Sequence, residues 1–384
     1  MLICVTWLKN RIATNLLFRY ETTQYQAIIS LVFSLLPPIY WLIIDKELQL
    51  KRYSMKNTSD YGVLMMNLGT PDAPQTPEVR RYLREFLSDS RVVDLNPLIW
   101  KPILNLIILT IRPPKVAKIY QQVWMDEGSP LLVLSERLKE KVKEALSEKK
   151  GQTVPVELAM TYGNPSVEVA ANKLREQGVK NIIVIPMYPQ FSATTTAAAY
   201  DRLMKSLKSC PHWPSLQLLH DYADHPMYIK ALSNSVRAQW DKQGERRHLV
   251  LSYHGIPKRY VTNGDPYARR CETTSRLVAE ELELGDHEWT HVYQSRFGRE
   301  EWLKPYADAT LKALPSMGVK KINIISPAFS IDCIETLEEV TLELGDEFKN
   351  NGGLAFDYIP ALNDTPDQVA LYVNLIEQNS KQWT

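Results

Sequence analysis

Phosphate-binding loops are missing from this chain of 384 residues: neither a G-x-G-x-x-G turn nor a Walker-type run occurs, so nucleotide chemistry has no support. Cysteine is scarce. The four are Cys4, Cys210, Cys271 and Cys333, and none stands within C-x-x-C distance of another. That spacing excludes a zinc knuckle and a ferredoxin-type cluster run. Sparse, scattered thiols point to a reduced, cytoplasmic compartment. An excess of one charge is also absent. With 45 basic and 44 acidic side chains the net charge is +1, which gives no electrostatic case for nucleic acid or for an acidic partner.

Apolar residues are plentiful. They make up 45% of the chain, with charged residues at 23%, enough for one large domain or two ordinary ones with full cores. Residues 1–54 do not match the rest. Lys9, Arg11 and Arg19 precede an apolar run from Ala27 to Ile44 that is broken by Pro37-Pro38. The run has the length of a marginal membrane span. An uncleaved anchor, a signal peptide and a mis-set translation start compete as readings. No small-residue cleavage pattern follows, which weighs against the signal peptide. Met55 opens a polar lead, Lys56 to Asp60, directly before the first core-like run, and this favours the mis-set start.

From Tyr61 onward, strand and helix patterns alternate. Tyr61 to Gly69 is a continuous apolar run ending in Gly-Thr-Pro, as expected of a buried parallel strand. Pro77 to Leu87 carries Val79, Tyr82, Leu83 and Phe86 at helical spacing. Val154 to Met160 reads as the next strand, Ser166 to Gln177 as a helix stopped by Gly178, and Val179 to Met187 as a strand. This βα alternation predicts a mostly parallel sheet with helices on both faces. The pattern also repeats itself. The run from Gly178 to Pro186 resembles Gly318 to Pro327, Val63 to Pro71 resembles Val250 to Pro257, and Met160 to Gly163 echoes Ser295 to Gly298. Three matches in the same order suggest two copies of one βα unit. Ligands of such folds sit beyond the carboxyl ends of the strands, which would bring Asn67, Tyr188, His254 and Ser330 to a common cleft.

Two segments carry chemistry. His248 to His254 is a strand ending in a histidine, followed by Gly255-Ile256-Pro257. A lone histidine is usually a satisfied core residue; a strand-end position makes it a candidate base or ligand. The second strand, near Ile322 to Pro327, runs into Ser330-Ile331-Asp332-Cys333-Ile334-Glu335. There Asp332 and Glu335 fit a capping box. Glu335, Glu339 and Glu343 follow at four-residue spacing and would repel on one α-helical face. A solvated face tolerates that, whereas a row meant to pass cations or protons would be aimed by a local widening to π geometry. Leu95 to Ile111 is strongly apolar and trailed by Arg112, Lys115 and Lys118, which suits a core helix, a lip over a flat apolar ligand, or a membrane-facing surface. His220-Asp221-Tyr222-Ala223-Asp224-His225-Pro226 has metal-like composition, but Asp224 ahead of His225-Pro226 reads as a helix start.

On these residues the chain resembles the ferrochelatases, which insert ferrous iron into a porphyrin. The resemblance runs from about Asp60 to the C-terminus. It rests on Met66-Asn67-Leu68-Gly69-Thr70-Pro71, Gly128-Ser129-Pro130-Leu131, Tyr188-Pro189-Gln190-Phe191-Ser192, Tyr253-His254-Gly255-Ile256-Pro257 and Gly264-Asp265-Pro266-Tyr267. Gln294-Ser295-Arg296-Phe297-Gly298 with Trp302-Leu303, and Ser330 to Leu337, complete it. It implies two similar flavodoxin-like, chelatase-like α/β domains with doubly wound parallel sheets and a cleft between them. Residues 55–230 would form the first, with the apolar lip at 95–112, and residues 231–384 the second, carrying His254 and Glu335.

The resemblance further implies catalysis and metal binding at His254 and Glu335, a proton or metal path through Glu339 and Glu343, and porphyrin contacts at Leu68, Arg112, Ser129, Tyr188 and Trp302. Ferrous iron and protoporphyrin IX would be the substrates, with no permanently bound cofactor. Cys333 stands where some members carry a second histidine, so that position is not a universal ligand. Ala193 stands where cluster-bearing members have a cysteine, so no iron–sulfur cluster is expected. Leu68, apolar where coproporphyrin users tend to have tyrosine, favours protoporphyrin. A coproporphyrin or cobalt-type chelatase and a non-catalytic porphyrin carrier are the alternatives. The implied location is cytoplasmic, with room for a peripheral contact at the inner membrane face through 95–112.

Overall fold

The continuous apolar runs become buried parallel strands. In the computed structural model, which describes residues 59–383 apart from Ser209, Pro211, Phe297 and Arg299, the first half comprises β1 (Tyr61–Thr70), α1 (Thr76–Leu87), α2 (Pro97–Ile103), α3 (Leu109–Val123) and α4 (Pro130–Lys150). It continues with β2 (Val156–Gly163), α5 (Val167–Glu176), β3 (Asn181–Pro186), α6 (Ala198–Leu207) and β4 (Ser215–Leu218). Then α7 (Pro226–Gln243) leads into β5 (His248–His254), α8 (Lys258–Thr262), α9 (Tyr267–Glu281), β6 (Trp289–Gln294) and α10 (Ala307–Ala313). The chain closes with β7 (Lys321–Ile325), α11 (Gly345–Asn350), β8 (Ala355–Ile359) and α12 (Pro366–Ser380). The expectations for residues 1–54 lie outside the described residues.

The duplication read from three short matches is present in the topology. Both sheets are parallel and four-stranded, in the orders β2-β1-β3-β4 and β6-β5-β7-β8. Alternation along each central strand divides the core. Tyr61, Val63 and Met65 of β1 and Leu249, Leu251 and Tyr253 of β5 face one shared central cluster. Leu64 and Met66 turn the other way, onto α5 and α6. Val250 turns toward α10 and Phe348 of α11. The two halves thus pack back to back through residues such as Leu138, Tyr222, Tyr228 and Trp240, and α7 spans the expected boundary at 230/231.

The metal-like run around His220 is structural. His225 accepts a hydrogen bond from the Met227 amide at 3.3 Å and, rather than Asp224, caps α7 with Pro226 behind it. Asp221 and Asp224 both bind the Arg270 guanidinium. Ser330, expected in the cleft, is instead buried: its hydroxyl lies 2.9 Å from that of Tyr222, which in turn meets Tyr372.

A half-buried imidazole makes acid stability testable. His291 stacks on Tyr253 and stands edge-on to Tyr293, with Nδ1 2.8 Å from the Ser275 hydroxyl. Burial pulls its pKa down from 6.5 to about 4. Between those values the unfolded chain binds the extra proton, so stability rises with pH and is lost as pH falls from 6.5 toward 4. The share is about 3 kcal/mol. Urea unfolding at pH 7 and pH 4.5 should show His291→Gln losing much less stability on acidification than the parent. An unchanged loss would contradict this.

Candidate active site at the ends of β5 and β7

β5 is flanked by β6 and β7, so the parallel register brings the carboxyl ends of all three to one edge. His254 is opposite Gln294. Gly255 makes that close approach feasible: a Cβ there would stand 2.9 Å from the Gln294 carbonyl oxygen and 3.2 Å from the Trp302 ring. The half-buried His254 ring lies 6.5 Å from that of Trp302. Its Nδ1 is 2.7 Å from the Gly255 carbonyl. A carbonyl only accepts, so Nδ1 donates there and Nε2 is the nitrogen left to take a metal or a proton.

β7 runs into the segment that holds the acids. Asp332 anchors it. Oδ1 accepts from Thr336 Oγ1 at 2.9 Å, the Tyr358 hydroxyl at 2.6 Å and the Ala361 amide at 3.3 Å. Oδ2 accepts from the Asn363 amide at 2.7 Å. The capping box does not form. Thr336, one residue beyond Glu335, takes the reciprocal role by accepting from the Cys333 amide at 3.0 Å. Glu335 is thereby kept out of the cap and opens a π-helix, Glu335–Leu344. The widened turn is the geometry suited to a four-spaced acidic row.

That row is graded in depth. Glu335 and Glu339 are half-buried and Glu343 is exposed. Glu339 is held by Ser295 Oγ at 2.5 Å and by Gln294 Nε2 at 3.5 Å. Ser295 reaches it from a left-handed backbone, φ +66°, and Gln294 is itself fixed by the buried Ser252 hydroxyl at 2.7 Å. Burial raises the pKa of Glu339. The Ser295 hydrogen bond and the nearby His254 oppose that rise, while Glu335 adds to it. Glu338 is also raised, by burial first and then by Glu343 and Glu339. Histidine and acids therefore sense one another within a single sheet edge, all from the second half.

The first half supplies the facing wall. Ile334 packs with Leu68, Tyr82, Tyr120 and Tyr162. Burial pushes the Tyr82 and Tyr120 hydroxyls well up, and the charge of Glu335 adds to both. Tyr188 is buried and likewise raised. Cys333 is buried; burial and then Glu335 keep it a thiol. Arg112 is half-buried, with its pKa lowered by burial. Ser129 is buried and caps α4 by accepting from the Leu132 amide at 3.3 Å. None of Gln294, Ser295, Asp332, Tyr82 and Tyr120 takes a role at the site from sequence alone: Asp332 reads as a helix cap, Gln294 and Ser295 only as parts of a motif and a repeat, and Tyr82 as one residue of a helical face. The strand-end rule that found His254 also covers Gln294 and Ser295; the tyrosines read only as core.

The Ferrochelatase family model matches residues 60–380. The protein of Vibrio atlanticus described as Ferrochelatase is 53% identical over 322 residues, covering 84% of this chain and 99% of its own. That of Vibrio cholerae is 50% identical over 323 residues, with the same coverage. Ferrochelatase 1 of Shewanella oneidensis is 48% identical, covering 84% of this chain and 97% of its own. With the model spanning nearly all described residues and relatives near half identity along their full length, the chain belongs to the ferrochelatase family.

Proposed function

We propose that the chain inserts ferrous iron into protoporphyrin IX, releasing two protons, as the last step of haem synthesis. The observation that carries this is the pairing of a histidine presenting Nε2 with a graded row of acids, at the edge where the two halves face each other. Metal entry requires the flat ring to bow so that nitrogen lone pairs aim at the ion, at a strain of about 1–5 kcal/mol supplied by rim contacts. Leu68, Tyr188 and Trp302 line the ring, and Arg112 and Ser129 meet its carboxylates. His254 and Glu335 divide metal delivery and pyrrole proton removal between them. Glu339, protonated more readily than an ordinary acid, passes protons to exposed Glu343. Iron is the substrate and no iron–sulfur cluster is needed. Imidazole with carboxylate suits ferrous, zinc and cobalt ions alike, so the ligands alone do not select the metal.

Anaerobic mixing with protoporphyrin IX and ferrous or zinc ion tests this reading. Free-base absorption bands should give way to metalloporphyrin bands at catalytic protein concentrations. Binding without any metal-dependent change would make the protein a carrier, and faster turnover of coproporphyrin would reassign the substrate.

We further propose that the protein is cytoplasmic and makes a peripheral contact with the membrane. Among the described residues no helix is long and apolar enough to cross a membrane. The lip nevertheless exposes Leu98 at 84%, Leu106 at 75% and Ile99 at 62%, beside exposed Lys101, Lys115 and Lys118. A clustered apolar surface with flanking cations suits an anionic bilayer face. The protein should float with phosphatidylcholine–phosphatidylglycerol vesicles, and the double variant Leu98→Asp, Leu106→Asp should not. A parent protein that stays with the soluble fraction would sink the idea.

A further inference from the structure

Among the hydrogen bonds between the two halves, which include surface pairs such as Lys141–Asp364 and Lys149–Glu377, are two further groups. One lies along the buried seam: Gln190 to Thr274 at 3.0 Å, Ser192 to Asp265 at 2.9 Å, and Tyr222 to Ser330 at 2.9 Å. The other is exposed and ionic. There Arg259, in α8, donates to Asp94 from Nη1 and to Glu300 from Nε. The neighbouring Tyr260 hydroxyl stands 3.1 Å from both the Val92 carbonyl and Asp94 Oδ1. The Arg259 guanidinium lies 4.7 Å from the Tyr260 ring centre.

The three segments joined at this guanidinium are the rims of the candidate cleft. Asp94 immediately precedes the apolar lip, whose Trp100 is fastened to the Leu87 carbonyl at 2.7 Å. Arg259 follows His254 by way of Gly255-Ile256-Pro257. Glu300 leads into Trp302, which bridges back to Pro257, while the Leu303 amide donates to the Ile256 carbonyl at 3.0 Å. One side chain thus ties the base of the lip to the wall that carries His254 and Trp302. Burial alone would raise the pKa of Asp94, but the bonds from Arg259 and Tyr260 outweigh it and hold the acid below its usual value.

We propose that Arg259 is a positioning residue, an ionic latch that holds the cleft mouth closed over the macrocycle and leaves the chemistry at His254 and Glu335 untouched. An exposed pair adds little to global stability and is screened by salt. Both properties suit a contact that must open for a flat ring and close behind it. The proposal rests on the cleft being the porphyrin site.

The experiment measures protoporphyrin binding by fluorescence without metal, then single-turnover zinc insertion with porphyrin saturating. Arg259→Ala should weaken porphyrin binding about threefold to fivefold and leave the single-turnover rate within about twofold. Asp94→Asn should do the same, and the double variant should go no further. Added salt at about 0.5 M should erase the difference between the parent and Arg259→Ala, since it screens the latch while its effect on the ring carboxylates is common to both. Arg259→Lys should recover part of the loss, as a charge without the fork. Unchanged porphyrin binding, a parallel fall in the insertion rate, or a difference between the parent and Arg259→Ala that salt leaves intact would each overturn the latch. If Arg259→Ala does not fold, Asp94→Asn carries the same comparison. A parent that binds no porphyrin overturns the latch together with the cleft reading. One that binds but inserts no metal overturns the catalytic reading alone.

Discussion

Replacing His254 with alanine is expected to lower metal insertion by about 10²–10⁴-fold while porphyrin still binds. The reason is geometric. The Gly255 carbonyl holds the Nδ1 proton, so the lone pair that can take a metal or a proton is the one on Nε2. Alanine removes that lone pair and little of the apolar wall, because Trp302 is held independently through Pro257. Steady-state zinc insertion and porphyrin fluorescence titration on the same preparations check it. Equal losses in the two would make His254 a packing residue and end its assignment to the chemistry.

Glu335→Gln should be nearly as damaging, about 10²–10³-fold in insertion rate. Glutamine keeps the shape and the hydrogen-bonding reach but neither accepts a proton nor carries charge. It also withdraws the field that Glu335 imposes on Tyr82 and Tyr120 and relieves Glu339 of one repulsion. Glutamine at Glu339 should be milder, about tenfold, because exposed Glu343 and water offer other exits. An active Glu335→Gln with an inactive Glu339→Gln would move the first acceptor one turn along the π-helix.

The chain's own pattern determined the fold class. Continuous apolar runs flanked by Gly and Pro can be satisfied only as strands covered on both faces, and His254 at such a strand's end needed no partner to be noticed. Three collinear matches identified the duplication because each copy buries the same alternation, as the equal strand orders record. The four-residue spacing of the acids left a solvated α-helical face and a widened helix both open, and the segment is the widened one.

Tertiary structure decided the rest. Asp332 read as a cap for Glu335, yet its donors come from Thr336, Tyr358, Ala361 and Asn363, and only folding gathers those four. Ser295 serves Glu339 through a left-handed backbone that no serine advertises by type. Ser330 left the expected cleft because Tyr222 and Tyr372 offered its hydroxyl buried partners, and Asp94, Arg259 and Glu300 became neighbours only when three separate rims met. Apolar periodicity is local and survives in one dimension. Hydrogen-bond and charge partnerships are set by which distant residues the packed core brings within about 3 Å, and that information exists only in the folded chain.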